Sequence, residues 1–171
     1  MTSSYETIGR PVGRAEGPAK VTGKARFPAD VNLPGILVGR CLRSPFPYAK
    51  IVSIDADSVA NARRVPGVHA VLTSDDIPSH LVGRMLRDMP ILARDVVRFA
   101  GQKVVAVAAE DDDIAEVALN LIQIEYDELE PILDPNDSLK PDAPILHPDF
   151  MDYLGIPDGD QVHPNSAGPA S

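Results

Sequence analysis

The 171 residues predict an α+β fold. Three observations carry that expectation. Lys103 to Ala109 is apolar without a break after its lysine, the mark of a strand covered on both faces. Ile114, Val117, Ala118, Leu121 and Ile122 recur at helical spacing and make one apolar stripe. The other strand-like and helix-like runs mix without the regular strand–helix–strand alternation of a parallel sheet, which argues for α+β.

Taken in order, residues 1–30 read as an extended arm. Glycines at 9, 13, 17 and 23 and prolines at 11, 18 and 28 leave no room for a regular element. The folded domain is expected over residues 31–134. Ile36 to Arg43 is a first strand and Ala49 to Asp55 a second, joined by the Ser44-Pro45-Phe46-Pro47 turn. Asp57 to Val65 is a short helix, with Asp57 as its cap and Pro66-Gly67 as its stop. Val68 to Thr73 is a third strand, and Ser74 to Pro78 a polar turn. Residues 79–95 carry no clear period. There Arg84, Arg87 and Arg94 interleave with Met85, Leu86, Met89 and Leu92. A loop of that length in a compact domain is functional or faces a partner, unless it merely covers a sheet edge.

Val96 to Phe99 is a short strand, and Gly101-Gln102 turns the chain into the apolar run. Asp113-Ile114-Ala115-Glu116 then has capping-box spacing and opens the amphipathic helix, with Asp111, Asp112 and Asp113 at its positive end. A last strand places Ile124 and Tyr126 on one face and Gln123, Glu125 and Asp127 on the other. Residues 135–171 read as a Pro/Asp-rich connector and a disordered tail, with one helical turn over Asp134 to Leu139 and no periodic element after Asp149.

Composition narrows the function. Residues 1–98 carry 14 Lys/Arg against 9 Asp/Glu, and residues 99–171 carry 2 against 16, for a net charge of -9. Dispersed cations and a negative total argue against nucleic-acid binding. The lone Cys41 excludes a disulfide within the chain and a Cys-based metal site, and its apolar neighbours make it a small packed residue. No apolar run is long enough for a bilayer and no apolar leader precedes residue 14, so a soluble, cytoplasmic protein is expected.

No catalytic constellation stands out. Gly17 to Lys24 is one residue too long for a phosphate loop, Ala25 replaces its hydroxyl residue, and no strand precedes it. His69, His80, His147 and His163 lack paired ligand spacing, and His69 reads as a structural strand residue. The Asp111–Asp113 run reads as helix capping rather than a cation site. Glu125, Asp127, Glu128 and Glu130 read as a solvated strand face. What remains is Arg43, Gly101 and Gln102, as partner-contact or turn residues. Arg43 can bridge to a partner, and Gly101 can supply a positive φ.

A series of short motifs goes further. Lys20-Val21-Thr22-Gly23-Lys24-Ala25, Leu33-Pro34-Gly35, Leu42-Arg43-Ser44-Pro45, Pro66-Gly67-Val68, Thr73 to Pro78, Gly101-Gln102, and Glu125-Tyr126 with Glu130-Pro131 follow one another in a fixed order. Together they resemble the molybdenum-binding large subunit of the xanthine dehydrogenase/aldehyde oxidase/carbon monoxide dehydrogenase family, over residues 9 to 149. Ile145-Leu146-His147-Pro148 resembles the exit from its first domain.

The resemblance implies an α/β-hammerhead domain, with a mixed sheet and two helices. It implies a complex that uses a molybdopterin cofactor, iron–sulfur clusters and FAD, none of them bound by this chain alone. The partners implied are a molybdopterin-binding domain or subunit and an iron–sulfur subunit, with no nucleic acid and no membrane. The family's catalytic glutamate and cofactor ligands belong to later domains without a counterpart here, so no catalytic, cofactor or metal residue is assigned. The chain is expected to be a scaffold component, inactive alone. The alternative is a stand-alone binding or regulatory module on the same fold.

Overall fold

A computed structural model describes residues 11, 13–84, 86–154 and 165. Expectations for residues 1–10, 12, 85, 155–164 (His163 among them) and 166–171 lie outside the described residues. The chain divides between Ile36 and Leu37 into two units.

In the first unit, helix α1 spans Gly17–Val21. This corrects the expectation that the arm holds no regular element. Pro18 sits in the first turn, where its missing N–H would be unpaired anyway. Gly23 follows the Thr22 cap at φ +70°, the left-handed turn that ends helices. The glycines and prolines thus bound a helix rather than forbid one. A 3₁₀ turn at Pro28–Asp30 follows, its Asp30 carboxylate accepting from the Phe27 N–H at 2.8 Å.

The second unit begins with β1 (Val38–Arg43), β2 (Ala49–Ile54) and α2 (Ala56–Arg63). Next come β3 (Val68–Leu72), β4 (Leu81–Val82), β5 (Met89–Pro90) and β6 (Val96–Val97). It closes with β7 (Lys103–Ala109), α3 (Asp112–Leu121) and β8 (Ile124–Glu128). The α+β class stands, but the strands do not share one mixed sheet. They form two antiparallel sheets, ordered β1-β7-β3 and β6-β2-β8, and an antiparallel β4-β5 pair. The residues expected to form a structureless loop therefore contain a short ribbon.

β7 is central, so it has partners on both edges, and its Val104, Val105, Val107 and Ala109 are buried. Helices α2 and α3 pack side by side over this sheet. Buried Ala49 and Val97 of the second sheet join the same apolar cluster as Val104 and Ala118, so one core runs through both sheets.

Both helix caps differ from expectation. Asp55, not Asp57, accepts the Ser58 N–H at 2.9 Å, and Asp111, not Asp113, accepts the Ile114 N–H at 2.8 Å. Each true cap has extended backbone just before its helix, which lets the carboxylate fold back over the first turn. The α3 stripe also divides. Ala115, Ala118 and Ile122 are buried, whereas Val117 and Leu121 remain 53% and 42% exposed. Alanines bring the helix close to the sheet, and the two larger side chains lie round its flank.

Beyond β8 two further 3₁₀ turns occur, at Asp137–Leu139 and Phe150–Asp152. The second was not expected. It buries Phe150, the one large apolar side chain that is buried among the described residues after β8.

Candidate docking surface

Arg43, Gly101 and Gln102 meet in one place. Gly101 has φ +91° with no heavy atom near its missing Cβ, so glycine serves the backbone turn there and not a close approach. That turn lets the Gly101 N–H donate to the Ser44 carbonyl and the Gln102 carbonyl accept from the Ser44 N–H, both at 2.8 Å. The Arg43 guanidinium crosses to the Gly101 carbonyl at 2.8 Å. Buried Gln102 turns inward, and its Oε1 accepts from the Arg98 N–H at 2.7 Å. The Ser44 hydroxyl closes its own turn by accepting from the Phe46 N–H at 3.0 Å.

Next to this node lies a cleft of about 190 Å³, lined by Asp88, Met89, Pro90, Arg98, Phe99, Gln102 and His147. A larger one of about 340 Å³ adjoins it and shares Asp88, Pro90 and Arg98; His80, Arg94 and Tyr153 add to its walls. Its wall is held by Arg94, which pairs with Asp75 at 2.7 Å and donates to the Ser74 carbonyl. Asp76 caps the neighbouring turn. The Thr73 N–H, followed by the Thr73 hydroxyl and Arg63, lowers its pKa, and partial burial opposes them.

The other residues weighed from sequence stay apart. His69 lies 3.5 Å from Glu110 on an exposed edge. Asp112 pairs with Arg40 at 2.5 Å, while Asp111 caps α3. Glu125 accepts from the Ser53 hydroxyl at 3.3 Å on the exposed strand face. Cys41 is half-buried. Among the described residues no group of three or more His, Cys, Asp or Glu side chains could hold a metal ion. No helix among them is long and apolar enough to cross a membrane.

Sequence reasoning passed over one cluster: Arg98, His147, Phe150 and Tyr153. Its signal was present. Phe150 and Tyr153 stand three apart in a chain where aromatics make up 5%, and that spacing packs their rings edge to face at 6.0 Å. The surface around the node is apolar for its exposure, with Met89 at 48% and Phe99 at 47%. Val117 and Leu121, one helical turn apart on α3, make a second such pair.

Two packed antiparallel sheets with two helices on one of them are matched, over residues 22–130, by the family model "Aldehyde oxidase and xanthine dehydrogenase, a/b hammerhead domain". The chain belongs to that family. The chain is 44% identical over 137 residues to a probable xanthine dehydrogenase component of Bacillus subtilis (strain 168), covering 80% of this chain and 18% of that protein. It is 37% identical over 150 residues to the nicotinate dehydrogenase large molybdopterin subunit of Eubacterium barkeri, covering 87% of this chain and 35% of that protein. In three dimensions the hammerhead chain superimposes on the crystal structure of a Cu,Mo-CO dehydrogenase with a TM-score of 0.73 and 35% identity, over 83% of this chain and 18% of the other. The chain thus spans between about a fifth and about a third of the length of these relatives.

Proposed function

We propose that this hammerhead domain works as an assembly scaffold in a molybdenum hydroxylase. Its partners are a molybdopterin-binding domain or subunit and an iron–sulfur subunit, in the cytoplasm. The complex would hydroxylate an aldehyde, an N-heterocycle or a similar carbon centre with water-derived oxygen, or oxidise carbon monoxide. Residues 31–134 form the working domain, residues 1–30 an arm, and residues 135–171 a connector and tail. Arg43, Gly101 and Gln102 shape the turn beside the docking face.

One observation carries this reading. The large apolar side chains Val117 and Leu121, and Met89 and Phe99, are among those left at the surface of the second unit, the first two one turn apart on α3 and the last two lining one cleft. Apolar side chains grouped at a surface in this way support a contact with another protein. The relatives are a xanthine dehydrogenase subunit and a nicotinate dehydrogenase molybdopterin subunit, which supports reading that other protein as the remainder of a hydroxylase.

The described residues hold no orphaned buried side-chain group that a pterin would satisfy. A pterin needs buried donors and acceptors turned toward it. Among the described residues every buried side-chain nitrogen and oxygen already has a partner within the protein.

The test is co-production with the remaining hydroxylase polypeptides of the same source. The chain is expected to co-purify in a molybdenum-containing complex. Val117→Gln with Leu121→Gln should weaken that complex at least tenfold, because burying each side chain contributes about 1.5–3 kcal/mol. The melting temperature of the variant chain should stay unchanged. A well-folded chain that forms no complex, or molybdenum held tightly by the isolated chain, would refute the proposal.

A further inference from the structure

Residues 145–154 cross the second unit as a strap fastened at several points. At the near end, the Asn165 side chain accepts from the Leu146 N–H at 2.9 Å and donates to the Pro144 carbonyl at 2.8 Å. Arg98 Nε donates to the Leu146 carbonyl at the same end, at 2.6 Å, and in the middle Phe150 is 5% exposed. At the far end, the Arg87 N–H donates to the Leu154 carbonyl at 3.0 Å. His147 lies beneath, half-buried, with Nδ1 3.1 Å from the Tyr153 hydroxyl and the two rings edge to face at 5.7 Å.

We propose that residues 145–154 are a proton-operated latch: neutral His147 holds the strap closed, and protonation of His147 beside Arg98 releases it. In the neutral ring with its proton on Nε2, the Tyr153 hydroxyl donates to Nδ1. A protonated ring must reverse that bond, and it places a second cation next to a guanidinium inside a half-buried contact.

The charged and titratable groups around the ring can be named element by element. Arg98 comes from the segment after β6, Asp88 from the residue before β5, and Tyr153 and Asp149 from the strap itself. Gln102, Met89 and Phe99, which line the same cleft, carry no charge. Burial first, then Arg98, holds the His147 pKa below its ordinary value of 6.5, and Asp88 opposes them.

Closure is at full strength above about pH 6.5 and is lost as pH falls through the depressed value. The open-to-closed ratio rises by up to about tenfold per pH unit between the two and then levels off. Opening would remove His147 from the wall of the smaller cleft and Tyr153 from the wall of the larger, joining the two across Arg98.

The strap amides allow a direct test in the full chain. The Phe150 N–H donates to the His147 carbonyl and the Tyr153 N–H to the Phe150 carbonyl, both at 3.1 Å. Hydrogen exchange at these two amides, corrected for its intrinsic pH dependence, should accelerate below about pH 6.5 in step with the NMR titration of His147. The β7 amides should stay protected throughout. His147→Gln keeps a neutral polar side chain, and its corrected exchange is expected to be independent of pH whatever its level. Flat exchange in the parent chain would overturn the latch. So would a pH response that persists in His147→Gln, or β7 amides that open along with the strap.

Discussion

Two glycines separate the conformational and the steric parts of a substitution. Gly101 and Gly67 both have positive φ, +91° and +87°. A Cβ at Gly101 meets nothing within 4 Å, whereas one at Gly67 lies 2.6 Å from Ile114 Cδ1. Gly101→Ala should therefore cost only the left-handed backbone term, about 1–2 kcal/mol. Gly67→Ala should cost more, because Ile114 at the start of α3 must also move. Urea unfolding of both variants measures the difference, and equal losses would count against the close approach at Gly67. Legibility differs between these residues too. Pro66-Gly67 is readable as a helix stop from its letters alone. That Gln102 turns inward to the Arg98 N–H depends on a contact that no local pattern encodes. His147 and Tyr153 likewise acquire their relation only when the strap folds back.

At the scale of the element, the helix caps are the instructive case. Three aspartates stand at the start of α3, and each has the right chemistry to cap it. Spacing favours Asp113, since Glu116 follows at the capping-box position. Backbone conformation decides for Asp111, whose φ of −148° and ψ of 175° place it outside the helix. Asp111→Ala should thus cost about 1 kcal/mol, while Asp113→Ala should stay within about 0.5 kcal/mol. Thermal denaturation distinguishes the two, and a reversed order would return the cap to Asp113. The longer apolar or alternating runs were legible to within a residue or two: β2, β3, β7 and β8. The two-residue strands β4 and β5 were not. Their pairing of Leu81 with Pro90 and Val82 with Met89 depends on the return of the chain, not on the composition of either strand.

At the scale of the whole domain, β7 organises the core. Val104 and Val105 point to opposite faces of their sheet, yet both are fully buried. A sheet with one wet face would expose one of them. Val104→Ala and Val105→Ala should therefore be similarly damaging, each by about 2–3 kcal/mol of lost transfer energy and residual cavity. Denaturant titration checks this, and a cost near zero for either would mean that its face is open. The sequence by itself determined the α+β class, the buried central strand, the amphipathic helix and, through its ordered motifs, the family. All of these are local, because period, turn chemistry and short signatures are written along the chain. Only the tertiary structure decided how the strands divide between two sheets, which side of α3 stays exposed, and that His147 meets Tyr153 and Arg98. Those facts rest on which distant segments come into contact, and burial and hydrogen-bond complementarity across the whole core select among pairings that the chain's local pattern leaves equal.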